Sequence, residues 1–491
     1  MKTIYYNLFF ALFLCLSATS CKDFLDVQPK SEKLEYQLFK NAQGFEDAIN
    51  GVYGSLQQTE LYGKDLLWGI PEVLAQNLNG QSTEMVALSK YDYANNDQLR
   101  QQLAALWIKG YETIGYANNI LKQLKKKSES ELPFYNYYKG EMLGVRAFLH
   151  FDLLRLFAPM DMGARGIPYL RDYSYKVQDF SKVGENYEAI LQDLKEAEAL
   201  LKTDDENIAY PRNNTKYSKF LNYRETHFNL YAVYGLLARV YWMKGDMANA
   251  ALYAQKIIDS GKFPLVSQSE VQDYLAGVLS PKETIFGVYS QSYLKTSREY
   301  LYNFQSYRSY NPYFDGSGSS HLLPYVAVYK KDVDATSQDF RRNHFKEFVG
   351  YVKFLKPVDY HTIENSVPAE RKEMIPGITL MHSSEMYLIA AEALLETNYP
   401  KAVEYFNMEI SSRGLSHLKA DVVLTKEMIF NEYHKELFGE GQLWYNMKRL
   451  NKDIVSNAES RVIKGSNQIY SIPIPKEEFE YRLSDISQPK K

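Results

Sequence analysis

Apolar residues recur at helical spacing along most of the 491-residue chain. In the first clear case, Phe45, Ile49, Val52 and Leu56 lie three or four positions apart, as they would on one buried face of a helix. This first predicted helix covers residues 39–56. The same spacing predicts further helices over residues 97–125, 134–156, 183–201, 229–259, 384–395, 400–412 and 426–438. The chain is therefore predicted to be mainly α-helical.

One helical segment contains a repeat motif. A helical stretch with tyrosines leads to a turn at Gly245 and Asp246, and small residues lie on both sides of this turn. The motif consists of Tyr234, Leu237, Ala238, Tyr241, Ala250 and Ala254. Small residues let two antiparallel helices approach closely, which is the tetratricopeptide arrangement. A looser copy consists of Tyr387, Ala390, Ala391, Ala402 and Phe406. Such helix pairs are scaffolds and favour a binding function.

The pattern changes over residues 261–380. Residues 283–289 form a short β-like run. The rings that follow show neither a strand nor a helix period and end in a Gly-Ser stretch; they are Tyr293, Tyr300, Tyr302, Phe304, Tyr307, Tyr310, Tyr313 and Phe314. Rings without a period predict a loop-rich lobe. Such rings could stack on sugar faces, or they could pack on one another as a local core.

The N-terminus has the layout of a bacterial lipoprotein signal. Lys2 precedes an apolar run over residues 8–16, and Ala18, Thr19 and Ser20 provide small residues before Cys21. The run is too short to span a bilayer, which needs about 20 residues. A plain cleavable signal is the alternative. Because Cys15 lies in the segment to be removed, Cys21 would be the lone thiol of the exported chain, and acylation would use it.

Composition and net charge limit the classes of partner that the chain is expected to bind. A formal charge of −3 and a pI near 6.3 give no support for a nucleic-acid partner, and the basic run over residues 122–127 is typical of a solvated helix end. The chain contains 42 tyrosines, more than its phenylalanines and tryptophans together. Tyrosine suits both half-buried helix seams and wet binding surfaces.

Motifs of common enzymes are missing from the sequence. There is no His-Glu-x-x-His pair, nucleophile elbow, phosphate loop or dinucleotide fingerprint. A pair of glycosidase carboxylates from distant segments stays open, but no pair can be singled out. His150 and His434 lie in helical patterns and are interpreted as structural. Asp332 and Asp334 begin like a calcium loop that Ser337 and Asn343 do not complete. We therefore expect no catalysis, metal or cofactor.

Many short motifs, in order, resemble the SusD/RagB family of outer-membrane nutrient-binding lipoproteins. They include Cys21 with residues 23–26 and Pro29, residues 146–148 and 166–168, the repeat at 234–254, residues 283–286, 339–342, 384–393, Asn407, residues 413–414, 436–437, 440–441, 448–449 and 473–475. Family members often have an aromatic-Glu-Gly-x-Arg stretch with a later Asp. Here Gly439, Leu443 and Asn446 stand at these places, which indicates a divergent subgroup.

This resemblance implies a scaffold of tetratricopeptide-like helix pairs that carries a loop-rich ligand face. It also implies a body tethered to the outer leaflet of the outer membrane, acting as a lid on a SusC-like TonB-dependent transporter. The ligand would be an oligosaccharide or, in some branches, a peptide, delivered without chemistry. We divide the chain into a signal peptide at 1–20 and one domain at 21–491, with a tether at 21–37, a helical half at 38–260, a tyrosine-rich loop lobe at 261–380 and a helical C-terminal part at 381–491.

Two regions correspond to the family's ligand face. In the first, Trp68 precedes Asn77, whose amide could bridge sugar hydroxyls. In the second we select Tyr307, Arg308, Tyr310 and Tyr313. Trp68 has an alternative as a core residue, because Leu66, Leu67 and Ile70 surround it, and the other tryptophans, Trp107, Trp242 and Trp444, are predicted to be core.

Two other functions stay open at this point. The first is an oligopeptide-binding member of the same family. The second is a tetratricopeptide adaptor lipoprotein that binds protein partners within the cell envelope. The adaptor hypothesis accounts for the repeats and the anchor but not for the tyrosine-rich segment.

Overall fold

The structure is a computed structural model that describes residues 35–80, 82–174, 176–267, 270, 279–303, 307–309, 339–348, 351–354, 375–456 and 461–480. The signal segment, Cys21, Tyr310 and Tyr313 lie outside these residues. The division of the chain into tether, helical half, loop lobe and C-terminal part stays a prediction.

Helices dominate the first half of the chain, as predicted. They are α1 (Ala42–Leu56), α2 (Ile70–Leu74), α3 (Thr83–Ser89), α4 (Asp97–Leu124), α5 (Tyr135–Phe157), α6 (Val183–Leu200), α7 (Leu230–Lys244) and α8 (Met247–Ile258), with the short strand β1 (Leu78–Gly80) between α2 and α3. The observed ends differ from the predicted ones by a few residues because capping decides them. For example, the side chain of Asn41 accepts a hydrogen bond from Gly44 N, so α1 begins at Ala42.

The second half alternates strands and helices. Its elements are β2 (Thr284–Tyr289), α9 (Tyr293–Ser297), β3 (Tyr307–Ser309), β4 (Phe345–Phe348), β5 (Tyr351–Phe354), β6 (Gly377–His382), α10 (Ser383–Leu394), α11 (Tyr399–Ser412), α12 (Lys426–Glu436), α13 (Leu443–Arg449), β7 (Ile454–Ser456), β8 (Arg461–Ile463), α14 (Asn467–Tyr470) and α15 (Glu477–Glu480). The predicted strand at 283–289 is confirmed as β2, which pairs antiparallel with β6.

The predicted repeat is confirmed as the helix pair α7 and α8. Asn229 caps the start of α7, and Gly245 ends it in the left-handed conformation at φ +85°. Ala238, Ala250 and Ala254 are completely buried between the two helices. The looser copy is the pair α10 and α11, in which the corresponding alanines are also buried.

Helix α5 lies at the centre of the first half and is buried on nearly all sides from Gly140 onward. Two of its buried polar side chains, Arg146 and His150, show how such groups find partners inside the fold. Arg146 binds both carboxylate oxygens of Asp193 on α6 at 2.7 Å. His150 accepts from Leu170 N at 3.0 Å through Nε2 and contacts the carbonyl of Arg146 at 2.8 Å through Nδ1. Burial lowers the pKa of His150 to about 3, so this histidine is a neutral structural residue.

The prediction of a loop is wrong for residues 293–303, which are helical: α9 continues into a π-helical turn, Arg298–Asn303. Tyr293, Ser297 and Leu301 are the buried positions and lie four residues apart. The middle position is a serine, whose hydroxyl donates to the carbonyl of Tyr293 at 2.9 Å. A small polar residue on the buried face therefore concealed the helical period.

Candidate functional site

The two segments predicted to form the ligand face are neighbours in one sheet. Strand β1 pairs antiparallel with β3, so that Asn79 lies opposite Arg308 and Gly80 opposite Tyr307. The sheet continues through β5 to β4 in the order β1, β3, β5, β4. Two segments more than 220 positions apart in the sequence therefore lie edge to edge. In the sequence, residues 310–313 follow directly after β3. Tyr310 and Tyr313 themselves lie outside the described residues.

Trp68 lies in the core, and the structure corrects its assignment as a ligand contact. No part of its surface is exposed, and its ring centroid lies 5.9 Å from that of Tyr300. It belongs to a π-helical turn, Asp65–Gly69, in which all side chains are buried. A ring without an exposed face cannot stack on a sugar in this conformation. Trp107, Trp242 and Trp444 are buried as predicted.

Asn77 also has a different role from the predicted one. It is 3% exposed, and its Nδ2 donates to Glu72 Oε2 at 2.7 Å. Its Oδ1 lies 2.7 Å from Nε2 of His434 and accepts a hydrogen bond from that ring nitrogen. Both ends of the amide are thus used within the protein. Asn77 holds the start of β1 against α12, and its burial keeps the amide out of reach of a sugar hydroxyl.

Glu72 connects this amide to the turn between α12 and α13. Its Oε1 accepts from Gly441 N at 2.8 Å. Burial raises the pKa of Glu72 to about 7, although the N–H donors of Asn77, Gly441 and Gly439 act in the opposite direction. The chain of hydrogen bonds from Gly441 through Glu72 and Asn77 to His434 fixes β1 on the helical scaffold. Sequence reasoning missed Glu72, because a lone glutamate in an apolar helix gives no chemical motif.

The turn that follows α12 also supports the far side of the sheet. Phe345, Phe354 and Phe438 form a triangle with ring centroids 5.0 to 5.3 Å apart, which joins β4 and β5 to this turn. Gly439 has φ +81°, and a Cβ there would lie 2.1 Å from the ring of Phe354. Gly439 stands where the family's aromatic-Glu-Gly-x-Arg stretch has its aromatic residue, and the ring of Phe354 packed against it explains the absence of a side chain there.

A buried ionic network lies behind the turn. Arg413 binds both oxygens of Glu283 at 2.8 Å and both oxygens of Glu436 at 2.7 and 2.9 Å. Arg341 contacts Asp339, Glu432 and Glu436. All of these side chains are nearly or completely buried. Most of the charged residues that carried the family resemblance in this part of the chain are therefore internal partners of one another.

His382 connects this network to the turn. Its Nε2 lies 2.8 Å from Glu440 Oε2. The hydroxyl of Ser384 donates a hydrogen bond to Glu436 at 2.7 Å, so its oxygen is left to accept a hydrogen bond from Nδ1 of His382. Burial by itself would lower the pKa of His382, but the charge of Glu440 and contacts with Glu283 outweigh it and raise the pKa to about 10. Both ring nitrogens donate, as expected of an imidazolium.

Glu283, His382 and Glu436 have ligand atoms within 4.8 Å of one another, a spacing that a metal ion could use. The donors do not suit one. Both carboxylates are bound by the guanidinium of Arg413, and His382 is held as a cation. A metal ion would face two positive groups inside the cluster. The arrangement is that of a charge-balanced structural network.

A shallow groove of about 550 Å³ lies elsewhere, along α6. Its two cationic side chains are already engaged: Lys244 binds Glu188 at 2.7 Å, and Arg171 binds Gln192 at 2.8 Å. The groove contains none of the residues that were predicted to bind ligand.

Among the helices of the described residues, none combines the length and the apolar character that a bilayer span requires.

Two family models match the chain and together cover most of it. One, described as starch-binding associating with outer membrane, matches residues 23–242, and the other, the SusD family, matches residues 282–487. A curated relative, the SusD-like protein P38 of Formosa agariphila, is 22% identical over 485 residues, with 89% of each chain covered.

Solved structures share the fold. A SusD superfamily protein from Bacteroides thetaiotaomicron superposes with a TM-score of 0.71 at 21% identity, covering 90% of this chain and 98% of that one. A SusD-like carbohydrate binding protein from Bacteroides vulgatus gives a TM-score of 0.66 at 18% identity, covering 89% and 96%. At these identities the likeness shows a common fold.

Proposed function

Because the chain belongs to the SusD family, we propose that it is a cell-surface lipoprotein that binds an oligosaccharide and delivers it to a SusC-like TonB-dependent transporter. Its ligand face is formed by the pair of strands β1 and β3 and by the residues that follow β3. The protein performs no chemistry on the ligand. Its lipid is attached at Cys21.

The observation that carries this proposal is the pairing of β1 with β3. The segment with Trp68 and Asn77 and the segment with Tyr307 and Arg308 were both selected because they correspond to the family's ligand face, and strands β1 and β3 bring their backbones side by side. Trp68 and Asn77 support the face from within, so contact with sugar is assigned to Tyr307, Arg308, Tyr310 and Tyr313. Tyrosine rings stack on the apolar faces of sugars while their hydroxyls and an arginine bind sugar oxygens.

The rigidity of the scaffold supports a capture role. The strand β1 is fixed through Asn77 and Glu72, and β5 is fixed by the phenylalanine triangle. A face that is already ordered loses little conformational entropy when a ligand binds. A lid on a transporter needs such a rigid body, together with ring contacts that are individually weak and allow release.

Absence of catalysis is supported by the state of the conspicuous buried acids. Glu283, Glu432 and Glu436 are paired with arginine side chains and hidden from solvent. An acid and base that act on a glycoside must reach the bond that they cleave. The carboxylates of the network therefore serve the fold.

A ligand screen tests the proposal. The chain from residue 22 onward is run on affinity gels that contain a panel of polysaccharides, and oligopeptides are titrated in parallel by calorimetry. We expect retardation by at least one glycan and no shortened products after prolonged incubation. Binding of peptides alone would replace the glycan by a peptide ligand, and any turnover would contradict a pure binding role.

The transporter is tested separately. A TonB-dependent barrel encoded beside this protein should co-purify with it from detergent-solubilised outer membranes. Co-purification with an outer-membrane assembly machine, without such a barrel, would instead support a tetratricopeptide adaptor.

A further inference from the structure

The chain enters its folded body beside the C-terminal end of α4. Gln123, one residue before the end of that helix, donates from Nε2 to Glu35 Oε1 at 2.8 Å. Four residues later, Phe39 is buried against Phe45 with a centroid distance of 4.9 Å. Everything that precedes Glu35, including Cys21, is therefore joined to the body at this point.

The surface around this entry point combines cations with exposed rings. Lys122 Nζ lies 5.3 Å from the ring centroid of Tyr173, and the side chain of Lys125 is 73% exposed. Lys126 is exposed as well. Tyr116, on the outer face of α4, is 44% exposed and Tyr173 is 42% exposed. We call these five residues the α4-end surface.

The hydroxyl of Tyr116 donates a hydrogen bond to Glu112 on the same helix. The pKa of Tyr116 is raised by its hydrogen bond to Glu112, by partial burial, and by the charges of Glu112 and Tyr173. Ion pairing leaves much of the positive charge available. Lys125 lies 3.7 Å from Asp172, but none of the ion pairs found within the described part of the chain involves Lys122 or Lys126.

Lysine and tyrosine together are the composition of a membrane interface. Lysine side chains near a surface of anionic lipid contribute about 1 kcal/mol each. Tyrosine places its apolar ring among the headgroups and its hydroxyl toward water, which is why it is enriched at both membrane boundaries. The chemistry of the α4-end surface therefore matches a bilayer better than it matches a neutral sugar.

Geometry restricts which side of the body can reach a membrane. About 14 residues separate Cys21 from Glu35, and a chain of that length spans at most about 50 Å when fully extended. A body of this size is about 60 Å across. A bilayer that holds a lipid at Cys21 therefore lies within reach of the entry point and beyond reach of the opposite pole.

We propose that the α4-end surface rests on the anionic headgroups of the bilayer to which the protein is tethered. The inference depends on the lipid at Cys21, which is part of the proposed function. The lipid supplies the attachment, and the surface gives the body a preferred orientation. The basic run that looks like an ordinary solvated helix end thereby acquires a partner.

Vesicle sedimentation tests this directly. The chain from residue 22 onward, which has no lipid, is mixed with vesicles of phosphatidylcholine alone or of phosphatidylcholine with phosphatidylglycerol. We expect binding to the anionic vesicles that weakens as salt rises. The combined variant Lys122→Glu, Lys125→Glu and Lys126→Glu should bind anionic vesicles at least about 100-fold more weakly than the parent.

A matched control carries Lys419→Glu, Lys426→Glu and Lys464→Glu, which change the net charge equally at exposed sites on other elements. It should keep most of the binding, and both variants should keep the far-ultraviolet circular dichroism of the parent. Equal losses in the two variants, or a parent that ignores anionic vesicles, would overturn the proposal.

The tether is judged by a different readout. Cys21→Ser in cells should release the protein from the outer-membrane fraction. A variant that stays in the outer-membrane fraction would refute the lipid anchor. The vesicle experiment uses protein without a lipid, so its outcome does not depend on this result.

Discussion

Gly439 shows how one residue without a side chain positions the sheet of the proposed ligand face. Its φ of +81° lies in the left-handed region, and the ring of Phe354 occupies the space where a Cβ would be. Gly245 has nearly the same backbone, at φ +85°, but open space around it. The two glycines therefore separate the cost of backbone strain from the cost of a clash.

Gly439→Ala should lower the free energy of unfolding by more than Gly245→Ala does. Both substitutions impose strain of about 1 kcal/mol, and only the first also displaces Phe354, at a cost of about 1–3 kcal/mol. Urea denaturation followed by circular dichroism measures both. Equal losses would mean that Phe354 can move aside without cost.

His382 makes part of the stability depend on pH. Its pKa is raised from 6.5 to about 10 in the folded protein. A raised pKa means that the folded state holds the proton more tightly than the unfolded state, so the stabilisation is complete below pH 6.5 and is lost as pH rises to 10. Glu440, at 2.8 Å, is the main charge responsible.

His382→Gln should therefore destabilise the protein strongly at pH 6 and much less at pH 10. The free energy of unfolding, measured by denaturant titration across this range, gives the difference between parent and variant at each pH. His417→Gln, at an exposed histidine, serves as the control and should leave the pH dependence of the parent unchanged. A difference for His382→Gln that grows toward pH 10 would contradict the imidazolium assignment.

At the scale of elements, Arg413 connects pieces that are far apart in the chain. It follows α11 and binds Glu283, which precedes β2, and Glu436, the last residue of α12. Removal of one member of a buried ion pair leaves its partner as an uncompensated charge, which costs about 3–5 kcal/mol. An exposed pair contributes about 0–1 kcal/mol.

Arg413→Met should accordingly cost several times more stability than Lys426→Met, which breaks only the exposed pair with Glu396 at 2.7 Å. Thermal and denaturant unfolding of the two variants give the comparison. If Arg413→Met were as mild as Lys426→Met, the network would have another way to neutralise Glu283 and Glu436.

Elements were predictable from sequence where one local pattern decided them. The helices α1, α4, α5, α6 and the repeat pair α7 and α8 follow from their apolar spacing and caps. Residues 293–303 were missed because Ser297 occupies the buried face. The pairing of β1 with β3 depends on contacts across more than 220 positions, which no local pattern encodes. For the same reason the role of Asn77 could not be predicted, since its partner His434 lies 357 positions away.

On the scale of the whole molecule, the proposed functions belong to different regions. Buried ion pairs and helix pairs make a rigid scaffold, the strands β1 and β3 bring two distant segments together, and the entry of the chain beside α4 faces the proposed anchor. The helix pairs belong to the fold that the chain shares with SusD superfamily proteins. The binding of a glycan on the β1–β3 side is the central claim that follows from them.

Calorimetric titration tests that claim most directly, with the glycan found in the screen titrated into the parent and two double variants. Tyr310→Ala with Tyr313→Ala should weaken binding about 10- to 100-fold, because each ring that contacts ligand is worth about 1 kcal/mol or more. Tyr210→Ala with Tyr217→Ala removes two exposed rings from another part of the chain, and this control variant should bind the glycan with the same affinity as the parent. Parental affinity in the first variant, or an equal loss in the second, would contradict the account.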